Sequence, residues 1–115
     1  MQIMKKFIFD EYDMCINPNR IELGDKDFWL EIQTACNDNL WYSGFQYWQR
    51  GRTWEHSPCL NTKTFYSEHE AIRYEAEMLR KFLKRQNERT YNDIEVPENI
   101  FKELKALQTP QLKLF

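Results

Sequence analysis

The stretch FWLEIQTACNDNLWYSGFQYWQ, residues 28–49, holds two alternating runs separated by a short polar break. In the first, Phe28, Leu30, Ile32, Thr34 and Cys36 share one side while Glu31 and Gln33 take the other, the period-2 pattern of a strand on an apolar core. Asn37-Asp38-Asn39 is a turn signal. The second run, 40–49, is rich in aromatic residues that suit a pleated surface. Together they predict an antiparallel hairpin. Gly44, in the middle of the second run, marks either a bulge or a place where another segment approaches closely.

Outward from the hairpin, SEHEAIRYEAEMLRKFLKRQ, residues 67–86, predicts a long helix. Ser67 can cap it, and Glu70 stands three residues on, the spacing from which a carboxylate reaches back to the cap. Ile72, Ala76, Leu79 and Leu83, flanked by Ala71, Met78 and Phe82, form a stripe broad enough to cover a sheet face. Glu68 and Glu70 lead and Arg80, Lys81, Lys84 and Arg85 trail, so the charges complement the helix dipole. A shorter helix is expected over 98–108, with Ile100, Phe101, Leu104 and Leu107 inward. Pro110 follows it and pushes the preceding residue toward extended backbone. Further strands are expected in KKFIFDEY (5–12) and TKTFY (62–66). Residues 16–27 read as a loop with a short extended piece, and 50–61 and 87–98 as connectors. The expected fold is therefore α+β: an antiparallel sheet of three to four strands packed by one long helix, with a short second helix. Residues 1–108 form one domain, and 109–115 form an extended tail.

A chain of 115 residues suits one core rather than two. With 42% apolar and 30% charged residues it should fold rather than stay disordered. Sixteen basic against eighteen acidic side chains give no global attraction to nucleic acid or to an anionic membrane. The N-terminal apolar run is too short for a secretory signal, and no segment is long enough for a membrane span, so the cytoplasm is the expected location. Cys15, Cys36 and Cys59, odd in number and widely spaced, suit reduced thiols.

Chemistry-bearing patterns are sparse. His56-x-x-Cys59 has half the spacing of a zinc site, but the second tight ligand pair is missing, so no metal is expected. The carboxylates fall on the helix exterior or in loops, neither histidine has an evident orienting partner, and no glycine-rich phosphate loop exists. No enzyme activity or cofactor is expected. WYSGFQYWQRGRTW places Trp41, Phe45, Tyr47, Trp48 and Trp54 among Arg50 and Arg52. Alternation turns either Trp41, Phe45 and Tyr47 or Tyr42 and Trp48 away from the helix. Such a face could stack the bases of single-stranded nucleic acid or cradle a peptide. Equally, these rings could fill a two-sided core beneath the N-terminal segment.

The tail carries the sharper signal. Gln111-Leu112-Lys113-Leu114-Phe115 resembles the peptide, Gln-Leu-x-Leu-Phe, by which bacterial polymerases and mismatch-repair proteins bind the replication sliding clamp. All four specified positions match, and with ordinary residue usage a match fixed at these positions arises on the order of once in 10⁵ chains. The resemblance implies that Gln111 occupies a polar subsite and that Leu112 lies on the intervening surface. It also implies that Leu114 and Phe115 fill the clamp's hydrophobic pocket while Lys113 points outward. The alternative is that Leu112, Leu114 and Phe115 pack back into their own core. Phe65-Tyr66-Ser67-Glu68-His69-Glu70-Ala71, at the long helix's entry, resembles a pattern in small phage and mobile-element domains, a likeness that carries no function.

Overall fold

The computed structural model describes residues 5–49, 52–88 and 96–108. The hairpin forms as the alternation requires: Phe28–Asn37 pairs antiparallel with Leu40–Gln49, with Phe28 opposite Gln49 and Asn37 opposite Leu40. Only Asp38 and Asn39 link the strands, at φ of 52° and 65°. Asp and Asn enter the left-handed region more easily than other side chains. A two-residue loop with both φ positive also matches the twist of the strands it joins. Numbering strands along the chain gives β1 (Asn19–Gly24), β2 (Phe28–Asn37), β3 (Leu40–Gln49) and β4 (Arg52–His56), which lie in that order in one antiparallel sheet.

The outer strands differ from the sequence expectation. β1 is the short extended piece expected within the loop of 16–27, longer and paired to β2, and β4 falls within the segment read as a connector. KKFIFDEY and TKTFY form no strand; Phe9 bridges Cys15 and Phe65 bridges Trp41 as isolated pairs. The cause is that edge strands bury little. Ile21 and Leu23 of β1 are half-buried between exposed Arg20 and Glu22, and Thr53 to His56 of β4 are all exposed. Pro58 has no N–H to continue a ladder.

The chain leaving β4 crosses the reverse face of the sheet. Gly44 is its crossing point and not a bulge, since the β2–β3 register runs through it unbroken. A Cβ at position 44 would run into the His56 carbonyl oxygen and lie 2.7 Å from Pro58 N. This crossing segment is tied to the N-terminal segment: Cys15 N donates to Pro58 O at 2.8 Å and Leu60 N to Asp13 O at 3.0 Å. β2 is consequently buried on both faces. Glu31 and Gln33, on the polar side of the alternation, are each only 1% exposed. Their polar groups are met in part: Arg20 pairs with Glu31 and Gln33 Nε2 donates to Glu31 Oε1 at 2.7 Å, while Gln33 Oε1 is buried without a hydrogen-bond partner.

The opposite face carries the helices α1 (Glu68–Glu88) and α2 (Glu98–Gln108). Glu70 N donates to Ser67 Oγ at 3.1 Å, the expected cap. The Glu70 carboxylate accepts from Tyr66 N instead of from the cap's own N–H. Ala71, Ala76, Leu79 and Leu83 are buried, and Ile72 is partly buried against the core. Met78 and Phe82 stand at the helix margin, 45% and 36% exposed. Leu30, Ile32, Tyr47, Leu79 and Leu83 join Val96, Ile100 and Leu104 in one cluster. The Asn87 side chain receives Val96 N–H at 2.8 Å, fixing the approach to α2. Arg73 Nε donates to Gln108 O at 3.0 Å, securing α2's end. No helix among the described residues is long and apolar enough to cross a membrane.

Gly44→Ala should cost about 1 to 3 kcal/mol in urea unfolding, the usual range for overpacking a tight site. Unchanged stability would contradict the close crossing.

Candidate functional site

Alternation along β3 sends Ser43, Phe45 and Tyr47 toward α1. On α1, Met78 and Leu79 stand three and four residues after Glu75, and Phe82 four and three after them, so all four face the same region. The helix packs on β2 and β3, and α2 packs on β1, so β4 extends past the helical layer. This overhang opens a groove of about 350 Å³ whose lining includes Ser43, Phe45, His56, Glu75, Met78 and Phe82.

Cross-strand pairs build its aromatic wall. Tyr47 lies opposite Trp54 and Phe45 opposite His56. The Tyr47 and Trp54 rings stack at 4.6 Å and 11°, and Phe45 and His56 at 6.4 Å and 10°. Phe82 tilts against Tyr47 from the helix side at 6.1 Å. Tyr47 is 2% exposed, and burial pushes its phenol up to about 12, so it remains neutral across the physiological range.

Glu75 is the polar group among these rings. It is 8% exposed, and its Oε2 accepts from Ser43 Oγ at 2.8 Å. Burial raises its carboxyl above the ordinary value, while the Ser43 hydrogen bond and the charge of His56 act in the opposite sense. The groove thus offers apolar walls, a buried carboxyl whose hold on its proton is strengthened, the Lys63 side chain and an exposed imidazole at its rim. Among the described residues, no three His, Cys, Asp or Glu side chains are grouped to hold a metal ion.

No family model, curated protein or solved structure matches the chain. Residue chemistry alone therefore carries the functional reading.

The structure separates the aromatic residues singled out in the sequence. Phe45, Tyr47 and Trp54 stack in one row, of which Phe45 lines the groove while Tyr47 is buried behind it. Trp41 lies toward the hairpin turn, edge-on to Phe7 at 5.9 Å and bridged to Phe65. Trp48 stands opposite Trp29 on the reverse face. Arg50 and the Arg52 side chain lie outside the described residues, as do Gln111, Leu112, Leu114 and Phe115. Sequence reasoning overlooked Glu75 and Ser43. The signal for Glu75 was present, since position 75 falls between Ile72 and Leu79 on the apolar stripe of α1.

The raised folded-state value of Glu75 fixes the sign of a pH effect. The folded chain holds this proton more tightly than the unfolded chain does. Its contribution is complete below the ordinary value of 4.5 and is lost as pH rises through the raised one. Glu75→Gln keeps an acceptor for Ser43 and escapes that loss. Urea unfolding should show this variant gaining stability relative to the native chain as pH rises from about 4 to 7. A constant difference across that range would contradict the assignment.

Proposed function

We propose that this chain is a non-enzymatic bacterial, phage or mobile-element protein that binds the DNA polymerase sliding clamp through Gln111-Leu112-Lys113-Leu114-Phe115. The single supporting observation is the match of that pentapeptide to the clamp-binding pattern at every specified position. The domain serves as adaptor or modulator in replication or repair, recruited by its tail. The described fold is compatible with this role. α2 ends at Gln108, and Arg73 holds that residue's carbonyl, so the peptide follows from an anchored helix end. A cytoplasmic location accompanies the proposal, because the clamp works on chromosomal or plasmid DNA.

The energetics favour an exchangeable interaction. Burying two leucines and a phenylalanine contributes roughly 1.5 to 3 kcal/mol each. Ordering five backbone residues costs roughly 1 to 2 kcal/mol apiece, a comparable total. The surplus comes from backbone and Gln111 hydrogen bonds, and Pro110 reduces the ordering cost because its φ is already fixed. Affinity on the order of micromolar follows.

Titration of a fluorescently labelled bacterial sliding clamp with the intact chain should saturate in that range. A chain truncated after Pro110, or carrying Phe115→Ala, should lose at least about tenfold in affinity, equivalent to about 1.4 kcal/mol. Equal binding by the intact and truncated chains, or binding by neither, would contradict the proposal.

A further inference from the structure

β4 is an outer strand, and no backbone hydrogen bond joins its open side to any described residue. The pairing pattern identifies the groups left over. A two-residue turn closes on a hydrogen-bonded pair, so Asn37 and Leu40 exchange bonds and the even-numbered residues of β3 bond β2. The odd-numbered ones bond the other neighbour, as Trp41 does with Phe65 at 2.8 and 2.9 Å. Phe45, Tyr47 and Gln49 therefore bond His56, Trp54 and Arg52. Thr53 and Glu55 turn their N–H and C=O groups outward, two donors and two acceptors placed symmetrically about Trp54.

This edge lacks the usual protection. Natural edge strands carry lysine, proline or a bulge that discourages pairing. Residues 53–56, Thr-Trp-Glu-His, hold neither lysine nor proline, and their register with β3 is unbroken. β1, at the sheet's other edge, differs: exposed Arg20 and Glu22 punctuate it, and Lys5 Nζ donates to Pro18 O beside it at 3.2 Å. Apolar surface also gathers on the helix side of β4. Trp54, Met78 and Phe82 are three of the seven large apolar side chains exposed among the described residues, and the rings of Trp54 and Phe82 both rest on Tyr47. Unpaired backbone and uncovered apolar surface coincide here.

We propose that a second copy of this chain pairs antiparallel with β4 about a two-fold axis through Trp54, joining two four-stranded sheets into one. Thr53 of each copy then bonds Glu55 of the other, which satisfies every outward group of both strands. Trp54 stands opposite its counterpart in the close, non-hydrogen-bonded position, where large rings gain from cross-strand contact. The charges agree with this register. Glu55 faces Thr53, whereas a two-fold axis centred on Glu55 would set two carboxylates opposite each other. A foreign strand would have to reproduce this spacing of donors, acceptors and ring; a second copy has it by construction. The contact is short, so the dimer belongs to the weak, exchangeable class of interfaces. It is separate from the Gln111–Phe115 peptide and does not depend on the clamp proposal.

Sedimentation equilibrium of the full chain from about 10 μM to about 1 mM, the range of weak association, should show the mean mass rising from that of one chain toward that of two. In a mixture of ¹³C-labelled and unlabelled chains, an isotope-filtered NOE is expected between the Trp54 Hα protons of two copies. Thr53→Pro removes an outward N–H and none of the bonds to β3, so it should weaken association at least about tenfold while the amide spectrum stays that of a folded chain. Thr53→Lys sets a cation opposite Glu55 and should strengthen association about twofold or more. A chain that stays single at the highest concentration assigns the edge to a foreign strand or to none and overturns the proposal. So would dimers without the Trp54 contact, undiminished association of a folded Thr53→Pro chain, or a Thr53→Lys chain that associates no more strongly.

Discussion

A two-residue turn at Asp38 and Asn39 sets the register on which the rest of the molecule depends. With both residues at positive φ, Ile32 stands opposite Phe45 and Leu30 opposite Tyr47. Side chains alternate with period two, so a slip of one residue would move Ser43, Phe45 and Tyr47 to the reverse face. It would also put a side chain where the crossing segment passes over Gly44. The core under α1, the path across the back of the sheet and the groove beside β4 thus rest on one register.

That register also explains a division of labour among the aromatic residues. Those near the middle of β3 build core and groove together: Tyr47 is held by Phe28, Phe45, Trp54 and Phe82. Trp41 meets the N-terminal segment through Phe7, and Trp48 belongs to the reverse face. Aromatic residues adjacent in sequence therefore serve different neighbourhoods. The groove exists because α1 stops short of β4, leaving Met78 and Phe82 at a margin where one more apolar layer would otherwise lie.

Elements with strong, buried periodicity were legible in the sequence: the β2–β3 hairpin, α1 with its Ser67 cap, and α2. The edge strands were not, because strands that bury one narrow side offer weak alternation. Asn19–Gly24 looks polar, and Arg52–His56 carries one large apolar side chain among polar ones. Glu31 and Gln33 were read correctly as one side of a strand, but their burial depends on a covering segment that no local pattern announces. Glu75 illustrates the same limit at the candidate site. Its place on the apolar stripe was visible, whereas its partner Ser43 is 32 positions away in sequence and is brought to it only by the packing of α1 on β3.

If Gln111–Phe115 engages a sliding clamp as proposed, the folded body and its groove take no part in that contact. Amide chemical-shift mapping of the ¹⁵N-labelled full chain with added sliding clamp tests that separation most directly. The account predicts that the perturbed amides are those of residues 109–115, with the groove amides of Ser43, Phe45 and Glu75 unchanged. Perturbation centred on β3, β4 and α1, with residues 109–115 unaffected, would contradict it.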